Sequence, residues 1–138
     1  MSSKGKKWRI LIVDDEENIR KSLKMILEYE GYVIYEAANG LEARERLEEH
    51  PEIDLVLLDI KLPDMDGLAL LAEIKKQPLA PEVIMISGHG TIPMAVEATK
   101  LGAFDFLEKP LHRERILLSL NHALESRELR SAFQDIKK

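Results

Sequence analysis

Three carboxylates follow apolar runs of the sequence in a way that favours metal-assisted chemistry. Asp14 and Asp15 come directly after the run 10–13, and Asp59 comes directly after the run 55–58. Three carboxylates brought into one pocket repel each other, so either a divalent cation joins them or at least one is protonated. Mg²⁺ is the natural occupant, because it binds through one or two carboxylates together with water and phosphate oxygens. The spacing therefore predicts a Mg²⁺ site.

Asp59 has the neighbours that a phosphoryl-accepting carboxylate needs. Phosphoryl transfer to a carboxylate passes through a loose transition state, so the protein has mainly to position groups and neutralise charge. Ser87, which directly follows the apolar run 83–86, offers a hydroxyl donor, and Lys109 offers an ammonium group to a phosphoryl oxygen. Taken singly, such residues are more often a helix cap, a turn former or a solvated side chain. Together they are the set that one reaction requires.

The elements that must position these residues are predicted by an alternation of apolar runs with helical patterns. This alternation is typical of a parallel sheet with helices on both faces. The runs 55–58 and 83–86 are apolar at every position, as expected of strands that are covered on both sides. The five predicted strands cover residues 9–13, 33–37, 55–58, 83–87 and about 105–107. Side chains just past the carboxyl ends of such strands converge in one crevice, where we expect the candidate residues to meet.

Four helices are predicted between the strands from apolar residues at helical spacing. We expect the first to end at Gly31, Asn39 to cap the second, and the fourth to span residues 94–101. The predicted inner faces are Ile19, Leu23, Ile26 and Leu27 in the first helix, Leu41, Ala43 and Leu47 in the second, and Leu68, Leu71 and Ile74 in the third.

The C-terminal segment carries two apolar stripes that face different directions. The first consists of Ile116, Leu117, Leu120, Ala123 and Leu124, and the second of Leu129, Phe133 and Ile136. From Leu124 to Leu129 a helix turns by about 500°, which leaves the stripes about 140° apart. One interpretation is a terminal helix that is partly solvated. The favoured one is a fifth helix that packs as far as Leu124 and continues over residues 125–138 as a linker or coiled coil toward a partner subunit or a further domain.

Length, charge and composition exclude several classes of protein. The 138 residues, 45% of them hydrophobic, suffice for one domain, and the longest apolar runs are far shorter than the ~18 residues of a membrane span. No signal peptide opens the chain and it contains no cysteine, which fits a cytoplasmic protein. Residues 10–112 carry a net charge of −11, which repels nucleic acid, so we expect no direct contact with DNA or RNA.

Four short motifs resemble the signature blocks of the receiver domains of two-component response regulators. They are ILIVDD at 10–15, LLDIKLPDMDG at 57–67, SGHG at 87–90 and FLEKP at 106–110, in the order that the family has them. The resemblance covers residues 8–124 and implies the flavodoxin-like receiver fold, with strand order 2-1-3-4-5. It also implies a cytoplasmic signalling domain rather than an enzyme, which takes a phosphoryl group from a sensor histidine kinase and assists its own phosphorylation and dephosphorylation.

The resemblance assigns a role to each candidate residue of the metal site. It makes Asp59 the phosphoacceptor, and Asp14 and Asp15 the acidic pair. It implies that Asp15, Asp59 and the main-chain carbonyl of Lys61 bind Mg²⁺ directly.

The resemblance also assigns the residues that sense the phosphoryl group. Ser87 becomes the sensing hydroxyl and Lys109 the family's lysine, with a cis peptide bond between Lys109 and Pro110. Phe106 matches the family's switch aromatic, which turns inward as the hydroxyl residue moves toward the phosphoryl group. Because Phe106 lacks a phenolic hydroxyl, packing alone would have to drive that rotation.

Residues 88–106 further resemble the receivers of NtrC-type transcriptional activators, which precede an AAA+ ATPase and a DNA-binding domain. This implies a transcriptional regulator whose output domains lie outside the chain, and the stripe of Leu129, Phe133 and Ile136 predicts that it self-associates as a homodimer. A stand-alone receiver that docks its fourth and fifth elements onto another protein is the alternative.

The motif at 64–67, Asp-Met-Asp-Gly, raises two rival functions. It resembles the nucleophile motif of haloacid-dehalogenase-type phosphatases, but three residues separate it from the preceding strand region. It also nearly fits a calcium-binding EF-hand loop, but the first ligand position would fall on Leu62, which has no side-chain oxygen. Both functions are therefore disfavoured.

Overall fold

The computed structural model describes residues 7–137 of the chain, and the side chains of residues 7–130. Five strands and five helices alternate along it. The strands are β1 (Arg9–Val13), β2 (Val33–Ala37), β3 (Leu55–Asp59), β4 (Glu82–Ser87) and β5 (Asp105–Glu108). The helices are α1 (Glu17–Tyr29), α2 (Gly40–Glu49), α3 (Gly67–Lys75), α4 (Ile92–Lys100) and α5 (Arg113–Lys137). All strands pair in parallel in the order β2-β1-β3-β4-β5, which confirms the predicted fold.

Two hydrophobic cores lie on opposite faces of the sheet. Successive residues of β1 point to alternate faces, so that Leu11 and Val13 enter one core and Ile10 and Ile12 the other. Helices α2, α3 and α4 contribute to the first core, and α1 and α5 to the second. The central strands are thus buried on both sides, as their continuous apolar runs predicted.

One residue of the predicted inner faces lies on the wrong side of its helix. Leu41 of α2 is 57% exposed, whereas Ala43 is buried and Leu47 packs against the core. Residues two apart on a helix point about 200° from each other, so Leu41 cannot share a face with Ala43. The prediction of an inner Leu41 was wrong for this reason.

Helix ends follow the capping residues. The Asn39 side chain accepts a hydrogen bond from the Glu42 N–H at 2.8 Å, which confirms the predicted cap of α2. Gly31, after α1, has a φ of +95°, the left-handed conformation that glycine adopts at low cost. Helix α4 begins two residues earlier than predicted, because the Thr91 side chain accepts a hydrogen bond from Met94 N–H and caps it there.

Helix α5 continues past Leu124 without a break. Its first apolar stripe is buried against the sheet, except for the partly buried Leu117. In the second stripe Leu129 is 72% exposed, while Phe133 and Ile136 lie outside the described side chains. Within the described part of the chain, no helix is both long and apolar enough to cross a bilayer.

Four charged residues attach the continuation of α5 to the amino-terminal edge of the sheet. Arg127 Nε lies 3.2 Å from Asp54 Oδ1, and an Arg127 guanidinium N–H donates to the Ala80 carbonyl at 2.8 Å. Arg130 makes an ion pair of 3.1 Å with Glu82. Asp54 and Glu82 are buried, so these contacts compensate charges that are withdrawn from water. We call Asp54, Glu82, Arg127 and Arg130 the basal clamp.

Candidate functional site

The carboxyl edge of the sheet brings together the three acidic residues expected there. Val13 of β1 is in register with Leu58 of β3, so the residues that follow these two positions are neighbours. Carboxylate oxygens of Asp14, Asp15 and Asp59 all lie within 4.8 Å of one another. Asp14 and Asp59 are buried and Asp15 is exposed. The cluster is therefore closed on the protein side and open to solvent at Asp15.

Lys109 supplies the positive charge of this cluster. Its Nζ lies 2.9 Å from Asp14 Oδ2 and 3.1 Å from Asp59 Oδ2. The contact with Asp14 is an ion pair, since no donor has hydrogen-bonding geometry to Asp14 Oδ2. Lys109 Nζ also lies 3.2 Å from Glu16 Oε1, a contact that the sequence analysis did not foresee. In the sequence, only the position of Glu16 directly after the acidic pair Asp14 and Asp15 could have indicated this contact.

Burial and charge shift the pKa values of the two central groups. Burial raises the pKa of Asp59, and the charge of Asp14 raises it further, against the opposing effects of Lys109 and the Lys61 N–H. Burial acts to lower the pKa of Lys109, but the close contacts with the negatively charged Asp14 and Asp59 outweigh it and raise that pKa. Lys109 is therefore held as a cation.

The donor set fits a hard divalent cation. Lys109 offers one positive charge to three carboxylates, and Asp14 Oδ2 is buried without a hydrogen bond. Clustered oxygen donors that keep a net negative charge could hold a metal ion of this class. The cluster borders a cleft of about 850 Å³, which is also lined by Lys61, Ser87 and His89. The cleft is large enough for a phosphoryl group.

Ser87 and Lys61 flank Asp59 in this cleft. Asp59 pairs with Ile86 in the register of β3 and β4, which places Ser87 one residue further along β4. The Ser87 Oγ accepts a hydrogen bond from His89 N–H at 3.1 Å, and Asp59 Oδ1 accepts one from Lys61 N–H at 3.1 Å. The role of the Lys61 carbonyl as a metal ligand stays a prediction.

Phe106 lies on β5, away from the acidic cluster. Its ring packs beside Gly90, where an added Cβ would come within 2.7 Å of Phe106 Cε1 and 3.6 Å of Ser87 Cβ. Gly90 is thus close to both the Phe106 ring and Ser87, and its missing Cβ leaves the space that the ring occupies. The Lys109–Pro110 peptide bond is cis, as expected.

The motif at 64–67 does not form a site of its own. Asp64 lies outside the acidic cluster, and both of its carboxylate oxygens accept backbone hydrogen bonds from α2. Asp66 caps α3 through a hydrogen bond from Leu68 N–H at 2.9 Å. Gly67 is required by a close approach, because a Cβ there would lie 2.2 Å from the Asp59 carbonyl oxygen. These residues shape the loop that follows Asp59.

Comparisons with known proteins agree with this geometry. The family model described as "Response regulator receiver domain" matches residues 10–121. An NtrX-like response regulator of Rickettsia bellii is 47% identical over 131 residues, which are 93% of this chain and 27% of that protein. The chemotaxis protein CheY of Bacillus subtilis is 43% identical over 117 residues, which are 84% of this chain and 97% of CheY.

A solved structure shows the same fold at similar identity. The beryllofluoride-activated NtrC4 receiver domain dimer has a TM-score of 0.81 and 44% identity, with 86% of this chain and 98% of that chain covered. The chain spans only about a quarter of the NtrX-like relative, at 27%. The resemblance to receivers of NtrC-type regulators is thus confirmed.

Proposed function

The chain belongs to the response regulator receiver domain family, and on this basis we propose that Asp59 accepts a phosphoryl group from a sensor histidine kinase. The observation that carries the proposal is the position of Lys109 Nζ, 2.9 Å from Asp14 and 3.1 Å from Asp59. A buried carboxylate held beside a fixed ammonium group, at the mouth of an open cleft, is arranged for attack on phosphorus.

The residues divide the work of the transfer. An Asp59 oxygen forms the new P–O bond as the P–N bond of the donor phosphohistidine breaks and its electron pair returns to the imidazole. The Lys109 ammonium neutralises charge on a phosphoryl oxygen. Because Ser87 Oγ accepts a hydrogen bond from His89, its own hydrogen can be donated to a second phosphoryl oxygen.

Mg²⁺ is the metal that we propose for the acidic cluster. Asp15, Asp59 and the Lys61 main-chain carbonyl would hold it, with Asp14 beside them. The ion supplies charge neutralisation at the phosphoryl oxygens during transfer and hydrolysis. In this way the domain assists its own phosphorylation and dephosphorylation.

Transmission of the signal is proposed to run through Ser87, Gly90 and Phe106. Movement of Ser87 toward the phosphoryl group vacates space beside Gly90, and the Phe106 ring can enter it. Four apolar side chains on α4, on α5 and just before β5 are exposed, and we propose that they form one surface: Ile92, Val96, Phe104 and Leu118 are 81%, 47%, 37% and 51% exposed. Exposed apolar clusters of this kind mark protein–protein contacts.

We propose that this surface binds a second copy of the chain in a cytoplasmic transcriptional regulator. The receiver dimer of NtrC4 supports a homodimer. The NtrX-like relative, of which this chain matches 27%, supports further domains beyond the matched part, and we propose that these are an AAA+ ATPase and a DNA-binding domain. The alternative is a stand-alone receiver that docks the same surface on another protein, and it is supported by CheY, of which 97% is matched.

Labelling with a small phosphodonor tests the proposed function. With Mg²⁺ and acetyl phosphate, the protein should gain an acid-stable, hydroxylamine-labile phosphate that Asp59→Asn lacks. Lys109→Met should slow the uptake by about 100-fold, because one stabilising group of the transition state is lost. Asp66→Asn, which keeps a capping side chain in the same loop, is the matched control and should label normally. Equal labelling of Asp59→Asn would remove Asp59 from the role.

A further inference from the structure

The loop between Asp59 and Gly67 is closed at its base by backbone contacts. The Gly67 N–H donates to the Ile60 carbonyl at 2.6 Å, and Lys61 and Asp66 form an antiparallel bridge. At the start of the loop, Lys61 N–H donates to Asp59 Oδ1 at 3.1 Å. The conformation of the loop therefore decides where the Lys61 main chain lies relative to Asp59.

The tip of the loop is attached to a different element of the fold. Asp64 Oδ1 accepts a hydrogen bond from Gly40 N–H at 2.8 Å, and Asp64 Oδ2 accepts one from Leu41 N–H at 3.0 Å. Asn39 accepts the next N–H of α2, that of Glu42, at 2.8 Å. The first turn of α2 is thus capped by two side chains, that of the adjacent Asn39 and that of Asp64, which is distant in sequence. The hydrogen bonds from Gly40 and Leu41 also lower the pKa of Asp64.

A packing contact accompanies these hydrogen bonds. A Cβ added at Gly40 would lie 2.1 Å from Met65 Sδ, so the Met65 side chain lies directly on the backbone of Gly40. Only glycine permits so close an approach at this position. The hydrogen bonds and the packing contact together fix the tip of the loop on α2.

We propose that Asp64 is a positioning residue for the phosphorylation site. Its two hydrogen bonds hold the loop 60–67 on α2 and so hold the Lys61 carbonyl in place for Mg²⁺ beside Asp59. The inference rests on the proposed function, in which Lys61 and Asp59 are metal ligands. Asp64 acts through the loop and touches neither the metal nor the phosphoryl group, so its effect should appear in metal affinity.

Three variants of the full chain separate positioning from helix stability. Asp64→Ala removes both hydrogen bonds to α2, and Asp64→Asn keeps one acceptor oxygen. Asn39→Ala removes the local cap of the same helix and leaves the loop contact in place. For each variant, the dissociation constant of Mg²⁺ is measured by calorimetry without a phosphodonor, together with the urea midpoint of unfolding.

We expect Asp64→Ala to raise the Mg²⁺ dissociation constant about tenfold, a change typical of groups that support metal ligands from outside. Asp64→Asn should restore part of the affinity. Asn39→Ala should lower the urea midpoint, and its Mg²⁺ dissociation constant should equal that of the wild type. An unchanged dissociation constant in Asp64→Ala, or an equal rise in Asn39→Ala, would overturn the inference.

The same measurements distinguish failure of the inference from failure of the proposed function. If the wild type binds Mg²⁺ but takes up no phosphate, the proposed function fails and the calorimetric comparison still decides the role of Asp64. If the wild type binds no Mg²⁺, both are overturned. If the wild type is phosphorylated and Asp64→Ala binds Mg²⁺ normally, only the positioning role is lost.

Discussion

Replacement of Arg127 by methionine tests whether the basal clamp makes residues 125–130 part of the folded domain. The change keeps an apolar stem but removes the donors to Asp54 and to the Ala80 carbonyl. Breaking a buried ion pair costs about 3–5 kcal/mol. Asp54 keeps a hydrogen bond from Arg9 N–H at 2.9 Å, and the side chains of Arg127 and Asp54 are 18% and 11% exposed. We therefore expect a loss of about 2–3 kcal/mol.

Chemical and thermal unfolding measure this loss. For a domain of this length, about 2–3 kcal/mol corresponds to a decrease in melting temperature of about 10 °C. A double-mutant cycle with Asp54→Asn should give a coupling energy of more than about 1 kcal/mol. Arg44→Met is the matched control, because Arg44 forms a bidentate but half-exposed pair with Glu73. Its loss should be smaller, as is usual for surface pairs.

Two truncations extend the same test to the domain boundary. A chain that ends at Leu124 lacks Arg127 and Arg130 and should be less stable than a chain that ends at Ala132, which keeps both. The reasoning is refuted if Arg127→Met loses no more stability than Arg44→Met, or if the two truncated chains unfold at the same urea concentration. In that event the packed domain ends at Leu124.

Two other outcomes are expected. The pKa of Asp59 is raised in the folded state, mainly by burial, so ionisation of Asp59 opposes folding. The free energy of unfolding should therefore fall as the pH rises from the pKa of Asp59 in the unfolded chain, near 4, through its higher pKa in the folded protein. Asp59→Asn should flatten this dependence and raise the urea midpoint at neutral pH, and a midpoint equal to that of the wild type would contradict the shift. With Mg²⁺ and beryllofluoride, Ile92→Lys should weaken the dimer by at least about tenfold in analytical ultracentrifugation, whereas Met25→Lys, at a position 73% exposed on α1, should not. A dimer that is equally strong in Ile92→Lys would exclude the proposed surface.

Local sequence signals predicted the fold and the position of the site. The strand bounds are correct to within one residue, because continuous apolar runs such as 55–58 leave few alternatives for a buried parallel strand. Asp14, Asp59 and Lys109 could be brought together from sequence, since Asp59 ends a strand, Asp14 and Lys109 directly follow one, and parallel strands end at one edge. Their roles in phosphorylation stay predictions.

Features that depend on distant partners could not be predicted. Two local features were missed as well: Leu41 was assigned to the inner face of α2 although helical geometry places it opposite Ala43, and Thr91 was not recognised as the cap of α4. Asp64 reaches Gly40 across 24 residues of sequence, and Arg127 reaches Asp54 across 73. In both cases the sequence shows only a charged residue of the kind that is usually solvated, and the partner is known only once the fold is built.

The continuous helix α5 has a consequence for how the receiver can be joined to a further domain of the proposed regulator. A flexible linker sets a distance, which grows slowly with length, and leaves orientation free. A helix that is clamped at Arg127 and Arg130 and remains helical to Lys137 instead sets an angle, since each residue advances about 1.5 Å and turns about 100°. One residue inserted after Arg130 therefore rotates the part of the helix beyond it by more than a quarter turn, whereas seven residues return that part to within about 20° of its original direction. The effect of an insertion in this segment therefore depends on the rotation that it adds to the helix and not on the number of residues inserted.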